Sequence, residues 1–234
     1  MSAAPAEVER LRAAYSGRVA QMTEAGAYSL ANEAYLFAIQ GRQRALLAAL
    51  RREGLWPIAG KDVLEVGCGT GGVLLEWLGF GADPARLHGV DLLAERVAAA
   101  HDRLPHLAVS CASGASLPYA DYSFDLVLQF TLFSSILDRA IGYTVANEII
   151  RVLRPGGAIL WYDFWINPVN KQTRGIRSNE IRKLFPHSRY TFERITLAPP
   201  LARRLVPLSW PGATILENLR FLNTHYLAII RPFE

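Results

Sequence analysis

A glycine-rich turn set between a strand and a helix constrains this chain more than any other feature. VLEVGCGTGG (63–72) follows Lys61-Asp62 as the end of a short apolar run and leads into a helical pattern that continues through Trp77. Glycine has no Cβ, so the backbone at Gly67 and Gly69 is free to bring its N–H groups close to a ligand. Gly67, Gly69 and Gly72 also satisfy the G-x-G-x-x-G spacing of dinucleotide sites, with Asp91 at the distance of a ribose-binding acid. The turn therefore points to a nucleotide-type ligand without choosing among them.

The surrounding pattern supplies the architecture. Residues 1–55 are helical in period: Val8, Leu11 and Tyr15, then Leu36, Ile39, Gln43, Leu46 and Leu50, recur at steps of three and four, with a hinge-like stretch at Gly26 to Ser29. From Lys61 onward, short strand-like runs alternate with helices: KDVLEV (61–66), RLHGV (86–90), LAVS (107–110), FDLVLQF (124–130) and AILWYDF (158–164). A helix over roughly 138–153 is expected to stop at Pro155-Gly156-Gly157, because proline cannot extend the ladder and glycine accepts the turn. Strand, helix and strand repeated in this way give right-handed crossovers and a parallel sheet covered on both faces. A short helix near 178–185 and two final strands, RYTFERITL and THYLAII, complete the order.

Composition narrows the function class. With 51% hydrophobic and 20% charged residues the chain can build a sizeable core. It has no apolar run of about 18 residues and no secretory signal pattern at its start, which reads as cytoplasmic. Two cysteines, Cys68 and Cys111, are too few for a disulfide framework or a cysteine zinc site, and the five histidines lack metal-ligand spacing, so no metal is expected. The net charge of +4 hides an asymmetry: residues 171–204 hold nine bases against Glu180 and Glu193. Acidic acceptors, lipid phosphates or nucleic acid would all be drawn to such a region, and a merely solvated face fits it equally.

Three features beside the turn carry a resemblance. Glu65 stands two residues before the first glycine, LPYADYSFDLV (117–127) leads into the fourth strand, and EIIRVLRPGGAIL (148–160) leads into the fifth. Together they resemble the class I S-adenosylmethionine-dependent methyltransferases, in particular the small-molecule methyltransferase type 11 group, over roughly residues 60–165. The resemblance implies an α/β, Rossmann-like, doubly wound seven-stranded sheet of order 3-2-1-4-5-7-6 with the last strand antiparallel. It implies an N-terminal helical lid (1–58) and a methyltransferase domain (59–234) with an acceptor-side insert at about 166–222. It implies S-adenosyl-L-methionine as cofactor and S-adenosyl-L-homocysteine as product.

Carried over residue by residue, Glu65, Gly67, Cys68 and Gly69 would surround the methionine part of the cofactor. Asp91 would accept both ribose hydroxyls, and Leu92 would press on adenine. Ser113 and Gly114 stand where many relatives place Asp-Ala, so the adenine amino group would meet a hydroxyl in place of a charge. Gln129 and Phe130 would face the methionine moiety.

The acceptor side is less determined. A base is needed only for an acceptor that cannot shed its own proton, and position nominates Asp163, near the end of the fifth strand, and His225, opening the last strand. Tyr28, Asn32 and Tyr35 could line a lid suited to sugars or planar acceptors; Arg174 and Arg177 could anchor an acid. Arg42 and Arg44 could reach the cofactor, or simply be solvated. APPLARRLVPLSW (198–210) reads either as a loop closing the fold or as a clamp for an anionic or lipid-linked acceptor at a membrane surface, which leaves peripheral membrane contact open. The flanks are similar to bacterial methyltransferases of glycan or specialised-metabolite pathways, which favours O-methylation of a sugar, glycan or other hydroxyl-bearing small molecule. Carboxyl O-methylation and N- or C-methylation of a specialised metabolite remain alternatives. A nucleic-acid acceptor lacks a recognisable RNA-binding module or Asn/Asp-Pro-Pro-Tyr type motif, and a nicotinamide oxidoreductase lacks a hydride-transfer acid or base.

Overall fold

The computed structural model describes residues 9–13, 29–167 and 172–233. A short helical segment at 9–13 precedes helix α1 (Glu33–Arg52). Asn32 opens α1 by accepting the Tyr35 N–H at 3.1 Å, Glu33 lies in its first turn and Arg51 and Arg52 in its last, an order that suits the helix dipole. The sheet then builds as β1 (Val63–Val66), β2 (Leu87–Asp91), β3 (Ala108–Cys111), β4 (Phe124–Phe130), β5 (Leu153–Phe164), β6 (Ser188–Leu197) and β7 (Asn223–Pro232). Helices α2 (Gly72–Gly79), α3 (Ala94–Arg103) and α4 (Arg139–Val152) make the crossovers; α5 (Ser178–Leu184) precedes β6, and α6 (Pro199–Leu205) and α7 (Trp210–Glu217) separate β6 from β7.

The seven strands lie in the order β3-β2-β1-β4-β5-β7-β6, parallel except that β7 runs antiparallel to both β5 and β6. This is the topology that the resemblance implied. Alternation along the central strands sends Leu126, Leu128 and Leu160 to one face, where Leu46 and Leu50 of α1, Leu74 and Trp77 of α2 and Val97 of α3 cover them. Leu64, Val127 and Trp161 face the other side, against Val145 and Ile149 of α4 and Ile181 and Leu184 of α5. The C-terminal half of α1 is thus part of the main core.

Two local readings change. Helix α4 ends at Val152, and Pro155-Gly156-Gly157 already belongs to β5, which runs from Leu153 through an irregularity opposite Phe124 to Leu126. A Cβ on Gly157 would come within 2.9 Å of the Arg154 and Asp125 carbonyl oxygens, so glycine permits this strand entry as well as the turn before it. The 198–210 segment is not a loop: Pro199 starts α6 and Pro211 lies in the first turn of α7, positions where a missing N–H costs nothing. Ala202, Val206 and Ala213 then pack on Phe37 of α1 and Leu197 of β6 as a third small core.

Candidate functional site

The order of the sheet reverses between β1 and β4, and the crevice outside the carboxyl ends of the strands opens there. It is occupied by a cavity of about 470 Å³, whose wall takes residues from the ends of β1, β2, β4 and β5. That volume lies within the ~300–1,000 Å³ typical of small-molecule sites. Leu11 of the N-terminal helical segment and Tyr35 and Arg42 of α1 also line it. The Gly67 and Cys68 N–H groups donate to the Val90 carbonyl at 2.7 and 3.0 Å, fastening the turn to β2. Gly67, Gly69 and Gly71 have φ of 79°, 57° and 76°, the left-handed region that glycine enters without strain.

Asp91 ends β2 with its carboxylate already oriented. One oxygen accepts the Gly69 N–H at 2.8 Å and the other the Leu93 N–H at 3.0 Å. Arg96, one turn along α3, approaches the same carboxylate at 3.7 Å and lies so close over Gly69 that a Cβ there would meet its guanidinium at 2.3 Å. The acid is therefore locked to the glycine turn while both oxygens keep further lone pairs.

Glu65 is buried at the cavity floor, and one of its carboxyl oxygens has no hydrogen-bond partner. Burial, reinforced by the nearby charge of Glu76, pushes its pKa up to about 8, against the pull of Arg42. An unmatched buried acceptor is costly, so a ligand donor that reaches it satisfies a group the protein leaves open. Arg42 descends from α1 to an ion pair with Glu76 of α2, and its guanidinium lies 5.3 Å from the Phe130 ring centre and 5.2 Å from that of Tyr162. The Tyr162 hydroxyl shares a 2.9 Å hydrogen bond with Thr196, and burial raises its pKa to about 12. Burial also drives the Cys68 thiol upward, away from thiolate chemistry.

Of the residues singled out from sequence, Glu65, Gly67, Cys68, Asp91, Leu92, Ser113, Gly114, Phe130 and Tyr35 all meet on this wall. Gly69 touches it through its bond to Asp91. Ser113 is also engaged locally, its hydroxyl oxygen accepting the Ala115 N–H at 3.2 Å. Others are held elsewhere. Gln129 is fully buried on the α4 side of the sheet beside Val127 and Trp161, and accepts the Leu132 N–H. Asn32 is committed to capping α1, Arg177 is exposed ahead of α5, and Arg174 pairs with Glu180 at 2.6 Å; Tyr28 lies outside the described residues.

Neither proposed base reaches the wall. Asp163 is buried, and its oxygens accept the Ser134 N–H at 3.0 Å and the Phe164 N–H at 2.8 Å, so it holds the 3₁₀ turn Phe133–Ser135 in place; burial raises its pKa to about 6. His225 stacks on Tyr162 at 4.7 Å with an interplanar angle of 3°, behind the wall, and bonds Thr224 at 3.0 Å. Burial and the nearby Arg42 lower its pKa to about 3, which leaves it a weak base. Sequence reasoning also left Arg42 as a solvated candidate. Its position three residues after Ile39 and four before Leu46 on the buried stripe of α1 was the available signal that it points inward.

The comparisons agree with this geometry. Residues 63–157 match the family described as "Methyltransferase domain". With the strand order and the turn, this match supports a class I, S-adenosylmethionine-dependent methyltransferase domain over that segment. The chain is 36% identical over 107 residues to a probable S-adenosylmethionine-dependent methyltransferase of Mycolicibacterium smegmatis, covering 44% of this chain and 37% of that protein. It is 30% identical over 125 residues to the 27-O-demethylrifamycin SV methyltransferase of Amycolatopsis mediterranei, covering 50% of this chain and 44% of that protein. These alignments span less than half the length of either relative. Among solved structures, an S-adenosylmethionine-dependent methyltransferase of Mesorhizobium loti superposes with a TM-score of 0.56 at 16% identity, over 79% of this chain and 96% of that one. The [4+2]-cyclase SpnF gives 0.61 at 18% identity, over 83% of this chain and 82% of that one. One fold thus hosts different chemistries, and the site must decide the function.

Proposed function

We propose that this protein transfers the methyl group of S-adenosylmethionine to the oxygen of a hydroxyl-bearing small molecule. The observation that carries the reading is the pairing, across one glycine turn, of an oriented carboxylate at Asp91 with an open buried acceptor at Glu65. When bound, the cofactor supplies a sulfonium methyl that a nucleophile can accept directly. Asp91 would hold the ribose hydroxyls, Glu65 the ammonium group, and the backbone at Gly67, Cys68 and Gly69 would allow close approach. Leu92, Ser113 and Gly114 would enclose the adenine. Phe130, Tyr162 and Tyr35 would present a flat, partly aromatic surface to the acceptor, with Arg42 held behind the first two.

Such a site acts mainly by alignment, and orientation can supply about 7–11 kcal/mol of a barrier of this kind. Tyr162, with its pKa near 12, retains its proton at neutral pH, and Glu65, committed to the ammonium group, is not free to act as a base. An acceptor hydroxyl acidic enough to ionise by itself, as in a phenol or enol, suits these walls better than a sugar hydroxyl. The relative named for 27-O-demethylrifamycin SV lends support, since that name places its methyl on oxygen.

A carboxylate acceptor is the second reading. It is favoured by a smaller recess of about 160 Å³ in which Arg139 and Lys183 lie beside Arg174, which is itself paired with Glu180 on the same wall. Calorimetry with S-adenosylhomocysteine, using NADH as control, tests the donor half: binding of NADH and not of the thioether product would overturn it. Incubation with radiolabelled S-adenosylmethionine and matched phenol and carboxylate acceptors tests the rest. Label that resists mild base identifies an ether; label released by it identifies an ester and rejects the first reading.

A further inference from the structure

Four exposed large apolar side chains, including the three most exposed among the described residues, fall in one segment of the chain. Leu208 is 81% exposed, Phe221 70%, Ile215 67% and Leu219 42%, all in the region built by α6, α7 and the 3₁₀ turn Arg220–Leu222. A single exposed leucine calls for no explanation, but four such side chains between positions 208 and 221 make a cluster that does. The inner side of the same region is already satisfied: Ala202, Val206 and Ala213 pack on α1 and β6, and Trp210 meets Phe37 edge-on at 5.3 Å. The outer apolar side chains are therefore surplus to the core.

Charge says what could cover them. Arg203, Arg204 and Arg220 are exposed in the same segment. The single carboxylate in 199–222, Glu217, turns inward, where it lies 2.9 Å from the place a Gly41 Cβ would take and where burial raises its pKa. The outward charge of the region is wholly positive. No helix among the described residues is long and apolar enough to cross a membrane, so any lipid contact here is made at the surface.

We propose that the α6–α7 region docks the protein on an anionic phospholipid surface. Leu208, Ile215 and Phe221 enter the boundary between headgroups and acyl chains, and the three arginines face the phosphates. The region packs on α1, which also carries Tyr35 and Arg42 on the cavity wall, so the docking face and the cavity share one rigid element. Docking itself does not depend on the methyltransferase reading. Only the corollary, that the acceptor is lipophilic and reaches the cavity from the bilayer, rests on it.

The test is co-sedimentation of the full chain with vesicles of phosphatidylcholine alone and of phosphatidylcholine with phosphatidylglycerol. The wild-type protein is expected to bind the anionic vesicles, and to do so less at high salt. Arg203→Gln and Arg204→Gln should each weaken binding about fivefold. Leu208→Ser with Phe221→Ser should weaken it at least tenfold, with an unchanged circular dichroism spectrum and melting temperature. No binding by the wild type, or wild-type binding by both sets of variants, overturns the proposal. So does a dimer on size exclusion that the Leu208→Ser, Phe221→Ser variant dissociates while vesicles fail to bind, because the face then belongs to a second copy. Calorimetry with S-adenosylhomocysteine on the same preparations reports the donor site separately.

Discussion

At the scale of single residues, the proton on Glu65 makes the sharpest prediction. Its pKa near 8 keeps the carboxyl neutral in the free protein through neutral pH. If it holds the cofactor's ammonium group, binding must release that proton, and affinity for S-adenosylhomocysteine should rise about tenfold per pH unit between pH 5.5 and 7. Glu65→Gln should bind more weakly and with a flat profile over the same range, measured by calorimetry in buffers of different ionisation heat. A wild-type profile that is equally flat would remove Glu65 from the ligand. Asp163 gives a contrasting expectation. Its oxygens are spent on the backbone of the 133–135 turn and of Phe164, so Asp163→Asn should cost about 1–3 kcal/mol of stability through the broken backbone bonds. The pH profile of kcat should keep its shape; loss of a limb near pH 6 in the variant would restore Asp163 as the base.

At the scale of elements, α1 and α2 are joined across the cavity floor by Arg42 and Glu76, whose side chains are 11% and 13% exposed. Removing one partner of a buried pair strands the other and costs about 3–5 kcal/mol, whereas replacing both with uncharged groups of similar size is often tolerated. Arg42→Met alone should therefore lower the melting temperature sharply, and Arg42→Met with Glu76→Gln should recover most of the loss. If the double variant melts no higher than the single one, the pair is not what ties the helices. This contact also marks where the sequence stops being legible. The strands, crossovers and glycine turn were readable because period and turn chemistry are local signals, and the order of the sheet followed from the resemblance those signals carried. Arg42 was not, because a charged side chain on an amphipathic helix reads as solvated until its partner, 34 positions away, is known. Asp163 and His225 failed for a related reason: strand ends place residues near a crevice, but the pleat and the turn after β4 decide which of them face it. The helices α6 and α7 were missed because three prolines disguise helix starts as loop.

At the scale of the whole molecule, buried ionisable groups set opposing slopes of stability with pH. His225 has a folded pKa lowered to about 3 from 6.5, so the unfolded chain binds the proton more readily, and stability falls as pH drops from 6.5 toward 3. Glu148, held low by its bond to Arg151, adds to that acid limb. Glu65 and Asp163 act in the other direction: their folded pKa values of about 8 and 6 lie above the unfolded values of 4.5 and 3.8. Their contribution is complete below those unfolded values and declines as pH rises, ending near 6 for Asp163 and near 8 for Glu65. The two raised carboxyls together outweigh His225 above about pH 4.5, so the free protein should melt highest near about pH 4 and be less stable at pH 8. A ligand present at about 100 times its Kd adds about 2.7 kcal/mol, which for a chain of this size corresponds to a rise of about 5–10 °C. Because binding should draw the proton from Glu65, a fixed concentration of S-adenosylhomocysteine should raise the melting temperature more at pH 8 than at pH 6, and the difference should vanish in Glu65→Gln. Equal shifts at the two pH values in the wild type would mean that the acid at the end of β1 shapes the floor of the cavity without touching what binds there.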